Sequence, residues 1–243
     1  RIKSKIFFAQ NNSDYSYINS DNIHTKSIKK IIKRLNLKSK VITVDKSNCS
    51  FLLKKINNKY FKTGGNVENL AFAYQIVKNF KISDKVIVKA LNQFKGLPHR
   101  QEIVFSNDKL ICVNDSKATS FDACLQSLKN YNNIYWIVGG TPKDKDIFNF
   151  NNISDKITKA YIIGKNTPFF VKQIKKYISY EISYSIKNAL SSIFNDIKNK
   201  VDHSYTVLLS PAASSFDQFS NFEERGNQFK ILLLKNLRKK LHA

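Results

Sequence analysis

The stretch Asn114-Asp115-Ser116-Lys117-Ala118-Thr119 gathers an amide, a carboxylate, two hydroxyls and an ammonium directly behind the apolar run Leu110 to Val113. An apolar run that stops so abruptly reads as a buried strand arriving at the rim of a sheet. Two other runs end the same way. Ile134 to Val138 opens into Gly139-Gly140-Thr141-Pro142-Lys143-Asp144, and Tyr205 to Leu209 opens into Ser210-Pro211-Ala212-Ala213-Ser214-Ser215-Phe216-Asp217. These residue types suit an anionic ligand: Lys117 and Lys143 supply charge, while Ser215, Thr119 and backbone N–H groups at helix starts supply donors. The same Ser, Thr and Asp residues are good helix caps, so capping would explain any one loop alone. Gly164-Lys165-Asn166-Thr167 looks like the end of a phosphate loop, but the upstream glycine of G-x-x-x-x-G-K-[ST] is missing. Thr167-Pro168 reads there as a cap and a first helical residue. Gly64-Gly65-Asn66 reads as a turn.

The elements that must position these groups follow from periodicity. From Arg100 onward the pattern predicts strands at Ile103 to Phe105, Leu110 to Val113, Ile134 to Val138, Ala160 to Ile163, Glu181 to Tyr184 and Tyr205 to Leu209. Helices are expected near 120–130, 168–178, 186–198 and 223–239. Such alternation predicts an α/β unit with a Rossmann-like, open, mostly parallel sheet covered on both faces. In such sheets the ligand lies beyond the carboxyl ends of the strands, which share one edge. The earlier part of the chain reads differently. Tyr15 to Ile18 alternates like a strand, Ile28, Ile31, Ile32 and Leu35 recur at helical spacing, and Val41 to Val44 is β-branched. Helices are expected from about Val67 to Phe80 and after Ser83, a good N-cap. Gly96-Leu97-Pro98 then breaks the pattern, so we expect two units, 1–95 and 96–243.

A formal charge of +23 points first to polyanions. The lysines are dispersed among Asn and Ile, however, with no Arg-rich arm and no aromatic-basic platform, so we expect no nucleic-acid partner. No apolar run approaches the roughly 20 residues needed to cross a bilayer, and no cleavable leader follows the start, so we expect a soluble, cytoplasmic protein with no membrane partner. Cys49, Cys112 and Cys124 are odd in number and lack a C-x-x-C spacing, so neither disulfide nor metal roles are expected. The start at Arg1 and the absence of Met lead us to expect an internal or processed segment.

GLPHR at Gly96 to Arg100, NDSKAT at Asn114 to Thr119, Gly139-Gly140 followed by Lys143, and LSPAASSFDQFSNFEERGNQF at Leu209 to Phe229 together resemble the Mur ligase family, in its D-glutamate-adding branch. The resemblance spans most of the chain. It implies that 1–95 is the last part of a central ATP-binding domain and 96–243 a complete C-terminal Rossmann-like domain. It also implies a monomeric enzyme in which ATP with Mg2+ phosphorylates the carboxylate of UDP-N-acetylmuramoyl-L-alanine and D-glutamate attacks the acyl phosphate. By the same resemblance, Asn66, Asn69, Arg100 and Asp115 face ATP, Asp115 being suited to accept from ribose hydroxyls, and Lys117 serves the reacting anions. Thr119, Lys143, Ser215 and Phe222 hold the two carboxylates of D-glutamate, Phe222 through its backbone. Lys3 aligns with a lysine that the family carbamylates to hold magnesium, and here we expect it to be unmodified and poorly ordered. Thr141-Pro142 replaces a commoner Asp-Gly, and Ala213 a commoner Cys. With no G-x-x-x-x-G-K-[ST] loop, the chain by itself is expected to be inactive toward ATP. Two other readings are a different amide ligase, of the Mur or folylpolyglutamate type, and a non-enzymatic basic nucleic-acid binder.

Overall fold

The computed structural model describes residues 3–20, 23–36, 38–62, 64–144, 146–198 and 204–241. The chain divides into two compact units, Arg1–Lys95 and Gly96–Ala243.

In the first unit β1 (Tyr15–Asn19) and β2 (Lys40–Val44) pair in parallel, from Tyr15 opposite Lys40 to Asn19 opposite Val44. A parallel pair needs a crossover, and α1 (Ile23–Arg34) provides it. Of the apolar residues that mark α1, Ile32 is buried while Ile31 and Leu35 stay exposed. Next come α2 (Ser50–Lys55), α3 (Gly64–Lys78) and α4 (Asp84–Gln93). Their inner faces bury Cys49, Leu52, Ile56, Leu70, Ala71, Tyr74 and Ile87 with Val44. The six-residue α2 is too short to leave a periodic trace, and the sequence reading passed over it. Gly64-Gly65-Asn66 is not a turn but the first turn of α3, where the Asn66 amide donates to the Tyr60 carbonyl at 2.9 Å. Ser83 occupies the N-cap of α4 without a side-chain cap bond.

The second unit is built on a six-stranded sheet, here described with its helices. The strands are β3 (Glu102–Ser106), β4 (Leu110–Asn114), β5 (Ile134–Gly139), β6 (Ile157–Ile163), β7 (Tyr180–Tyr184) and β8 (Tyr205–Leu209), in the spatial order β3-β4-β8-β5-β6-β7. Every neighbouring pair is parallel except β3–β4. Along β5 the side chains alternate between the two faces. Ile134, Trp136 and Val138 join the core beneath α5 (Phe121–Asn130) and α6 (Thr167–Ile174), and Tyr135 and Ile137 join the one beneath α7 (Ile186–Ile197) and α8 (Phe222–Leu241). Both faces are therefore apolar, as a covered parallel sheet requires.

One crossover departs from the strand–helix alternation. Between β5 and β6 the described residues make only a 3-10 turn at Ser154–Lys156, and Phe148, Phe150 and Ile153 fill the space a helix would occupy. Phe148 stacks on Phe121 at 4.2 Å. Two helix starts are not capped as residue type alone would suggest. Ser120 caps α5 in position only, and Asp146 from the β5–β6 loop accepts from the Phe121 N–H at 3.1 Å in its place. Asn166, rather than Thr167, is the N-cap of α6, with Pro168 in the first turn. No helix of the described residues is long and apolar enough to cross a membrane.

On α8, Gly226 lies against the ring of buried His99, and a Cβ there would stand 2.2 Å from His99 Nδ1. The ring cannot retreat freely, because Nδ1 is 3.0 Å from the Asn114 amide. Gly226→Ala should lower the unfolding free energy by about 1–3 kcal/mol, the usual cost of overpacking. Urea unfolding followed by Trp136 fluorescence checks this, and an unchanged midpoint would contradict it.

Candidate functional site

Because β8 lies between β4 and β5, the exits of three adjacent parallel strands share one edge. Backbone bonds stitch them together. Asp115 N–H donates to the Leu209 carbonyl at 2.7 Å, Gly139 N–H to Pro211 at 2.9 Å, and Thr141 and Ser214 exchange bonds of 2.9 and 3.0 Å. The glycines are required here. Gly139 and Gly140 have φ of 138° and 133°, and a Cβ at Gly140 would lie 2.2 Å from the Ser214 carbonyl oxygen. Gly164-Lys165-Asn166, read from sequence as purely local, joins the same edge: the Asn166 amide donates to the Gly140 carbonyl and the Lys165 N–H to Asp217, both at 2.9 Å. That bond draws the Asn166 side chain away from its own helix.

Arg225 of α8 runs beneath these loops with 1% of its surface exposed. Its Nε donates to Ser116 Oγ at 3.0 Å, and one Nη donates to the carbonyls of Ser116 at 2.8 Å and Ala213 at 3.0 Å. The other Nη is buried without a hydrogen-bond partner and lies next to Gly140. Burial away from water holds the guanidinium down to about 10. Ser116 Oγ passes the connection on to the Phe222 carbonyl at 2.8 Å.

The sequence-derived candidates occupy distinct places around this frame. Thr119, Lys143 and Ser215 lie on the loops leaving β4, β5 and β8; Lys143 is exposed, Thr119 half-buried and Ser215 buried. Lys117 is exposed, with its ammonium 5.5 Å from the ring centroid of half-buried Phe222. Asp115 faces inward: one carboxylate oxygen accepts from Ser127 at 2.5 Å and Ser210 at 2.9 Å, and the other from the Gln101 N–H at 3.2 Å. Arg100, whose charge acts on Asp115, sits between His99 and Gln101, two non-glycine residues with φ of 60° and 48°. Such backbone strain is held only where neighbours over-determine it. In the first unit, Asn66 is buried in its bond to Tyr60, and Asn69 is exposed one turn later on α3. Lys3 opens a 3-10 helix over Lys3–Ala9, and its side chain lies outside the described residues. Among the described residues no group of three or more His, Cys, Asp or Glu is placed to hold a metal ion. All three cysteines are free and buried, and burial pushes the Cys112 thiol up to about 12.

No protein-family profile matches the chain. It is 33% identical over 244 residues to UDP-N-acetylmuramoylalanine--D-glutamate ligase of Rickettsia felis, in a match covering 95% of this chain and 54% of the relative. The enzyme of the same name from Rhizobium meliloti is 40% identical over 166 residues, 68% of this chain and 36% of the relative. The chain is a homologue of these D-glutamate ligases. It spans about half the length of the first of these curated relatives. Two solved structures share the fold. The bifunctional folylpolyglutamate synthase/dihydrofolate synthase from Yersinia pestis superposes with a TM-score of 0.59 at 14% identity, over 95% of this chain and 56% of its own. MurF from Acinetobacter baumannii superposes with a TM-score of 0.54 at 12% identity, over 94% and 54%.

In this homologue of the D-glutamate ligases, the sequence reading gave no individual role to the supporting residues Arg225, Ser127, Ser210, Asp146 and Asp217. Nothing in the pattern of α8 marks Arg225 as an inward residue, and serines at Ser127 and Ser210 are ordinary for a helix and a loop. Their effect is largest on Asp115. Burial raises its carboxyl from 3.8 to about 6, more than the bonds from Ser127, Ser210 and Gln101 lower it. A folded-state value above the unfolded one means that stability is fully present below about pH 4 and is lost as pH rises through about 6. Relative to Asp115→Asn, the native protein should therefore become less stable between pH 4 and 7, by on the order of 3 kcal/mol from 1.36 kcal/mol per unit. Urea unfolding of both proteins across that range measures it. A pH-independent difference, or one of opposite sign, would contradict the burial of this charge.

Proposed function

We propose that the chain is part of an ATP-dependent acid–D-amino-acid ligase that joins D-glutamate to UDP-N-acetylmuramoyl-L-alanine in cytoplasmic peptidoglycan-precursor synthesis, and that the second unit presents D-glutamate. The observation that carries this reading is the shared edge of β4, β8 and β5, with Thr119, Lys143 and Ser215 on its three loops. A dicarboxylate needs two separated sets of donors. Lys143 with Thr119 would serve one carboxylate; Ser215 and backbone N–H groups at the start of α8, that of Phe222 among them, would serve the other.

The reaction is amide formation through an acyl phosphate: the γ-phosphoryl group of ATP moves to the substrate carboxylate, the amine of D-glutamate attacks the acyl carbon, and inorganic phosphate leaves. Catalysis of this kind rests on alignment and charge neutralisation more than on covalent help. Lys117 suits that task, since it is exposed and no carboxylate pairs with it among the described residues. Asn66, Asn69 and Arg100 are assigned to ATP. Asp115, its oxygens engaged by Ser127, Ser210 and Gln101, would act on the nucleotide side by fixing the loop that carries Lys117. Lys3, when carbamylated, would hold the metal accompanying ATP.

D-Glutamate should bind the chain weakly, because closure of a second domain over such a site normally completes it. Titrated by NMR, it should shift amides in 115–119, 139–144 and 214–217, and Lys143→Ala and Ser215→Ala should each weaken binding about tenfold, as loss of a charge-assisted bond implies. Shifts elsewhere, or native affinity in both variants, would defeat the assignment.

A further inference from the structure

We propose that the ring of Phe222 is a positioning device for Lys117, holding its ammonium in place without neutralising it. The inference rests on the reading of Lys117 as a ligand for reacting anions, and adds what keeps it there. A lysine side chain has considerable rotamer freedom to lose. Carboxylates are the usual way to hold one, but a carboxylate would cancel the charge that an anion has to meet. Lys117 has none: among the described residues no ion pair includes it. Its ammonium instead lies 5.5 Å from the centroid of Phe222, within the range over which a ring face attracts a cation. An aromatic face supplies attraction and carries no net charge.

Phe222 is itself fixed. The ring of buried His99 meets it edge-on, with centroids 6.2 Å apart and planes at 78°. Its carbonyl accepts from Ser116 Oγ, which is in turn held by Arg225 Nε. The Lys117 N–H donates to the His99 carbonyl at 3.0 Å. Lys117 and Phe222 are therefore anchored to the same two residues, Ser116 and His99, although they are far apart in sequence. Both the backbone and the far end of Lys117 are tied to one cluster, and among the described residues the ring contact is the only tie on the ammonium.

The test needs no turnover. In the native chain the ε-methylene protons of Lys117, assigned by their loss in Lys117→Ala, should resonate upfield of the other lysines through the ring current. Phe222→Leu should return them to the common position, and Phe222→Tyr should keep them shifted. Titration with inorganic phosphate at constant ionic strength should move the amides of 116–119. Phe222→Leu should weaken that response about two- to fivefold, the factor an exposed cation–π contact carries; Phe222→Tyr should restore it, and Phe222→Leu should add nothing in the Lys117→Ala background. An unshifted Lys117 resonance in the native chain would overturn the proposal, and so would equal weakening by Phe222→Leu with and without Lys117. If Phe222→Leu does not fold, the native resonance and Phe222→Tyr still decide. A normal ring-current shift with no phosphate response would overturn the functional reading of Lys117 rather than the contact.

Discussion

The strand-exit edge depends on a buried guanidinium that is hydrogen-bonded to a hydroxyl and two carbonyls. Arg225 reaches from the first turn of α8 to Ser116 behind β4 and to Ala213 behind β8, and its unpaired Nη abuts Gly140 behind β5. One side chain thus adds hydrogen bonds to two of the loops and packs against the third, beside the backbone bonds that already link all three. The charge is expensive to bury, which is why its value falls, and the neutral acceptors around it offset only part of that cost. The Asp217 carboxylate lies near enough for its charge to favour the guanidinium, although among the described residues no ion pair joins the two.

The rest of the edge follows the same economy of charge. Asp115, the one acid in NDSKAT, is turned inward, so it braces the loop without facing the rim. Asp217 is spent on the Lys165 N–H. Lys117 and Lys143 are left outward, the first beside a ring and the second exposed. Close backbone packing at Gly139, Gly140 and Gly164 brings the loops near enough for these bonds to form, and a side chain at any of the three would collide with a neighbouring loop or strand.

Much of this was legible in the sequence, for identifiable reasons. Buried parallel strands are short apolar runs bounded by polar loops, so β4, β5 and β8 and the loops at their exits could be read directly, and the topology of parallel sheets placed those loops on one edge. The β5–β6 crossover could not be read as it is, since Phe148 and Phe150 pack as a plug with no periodicity to announce it. The helix caps failed differently. Ser120 and Thr167 are good caps by type, but Asp146 caps α5 from a distant loop, and Asn166 holds the N-cap of α6 while its amide bonds to Gly140. Sequence patterns report local preference, whereas these partners are set by long-range packing. Arg225 was invisible for the same reason: a basic residue in a helix is ordinarily read as solvated, and only the fold shows what lies over it.

Native-state hydrogen exchange in Arg225→Lys tests the dependence most directly. A lysine keeps the charge but loses the planar fork that reaches two loops at once. The account predicts faster exchange together at Asp115, Gly139, Thr141 and Ser214, whose N–H groups make the cross-loop bonds, with the amides of β6 and β7 unchanged. Acceleration confined to the loop of Ser116, or none at all, would show that the three exits hold together without Arg225.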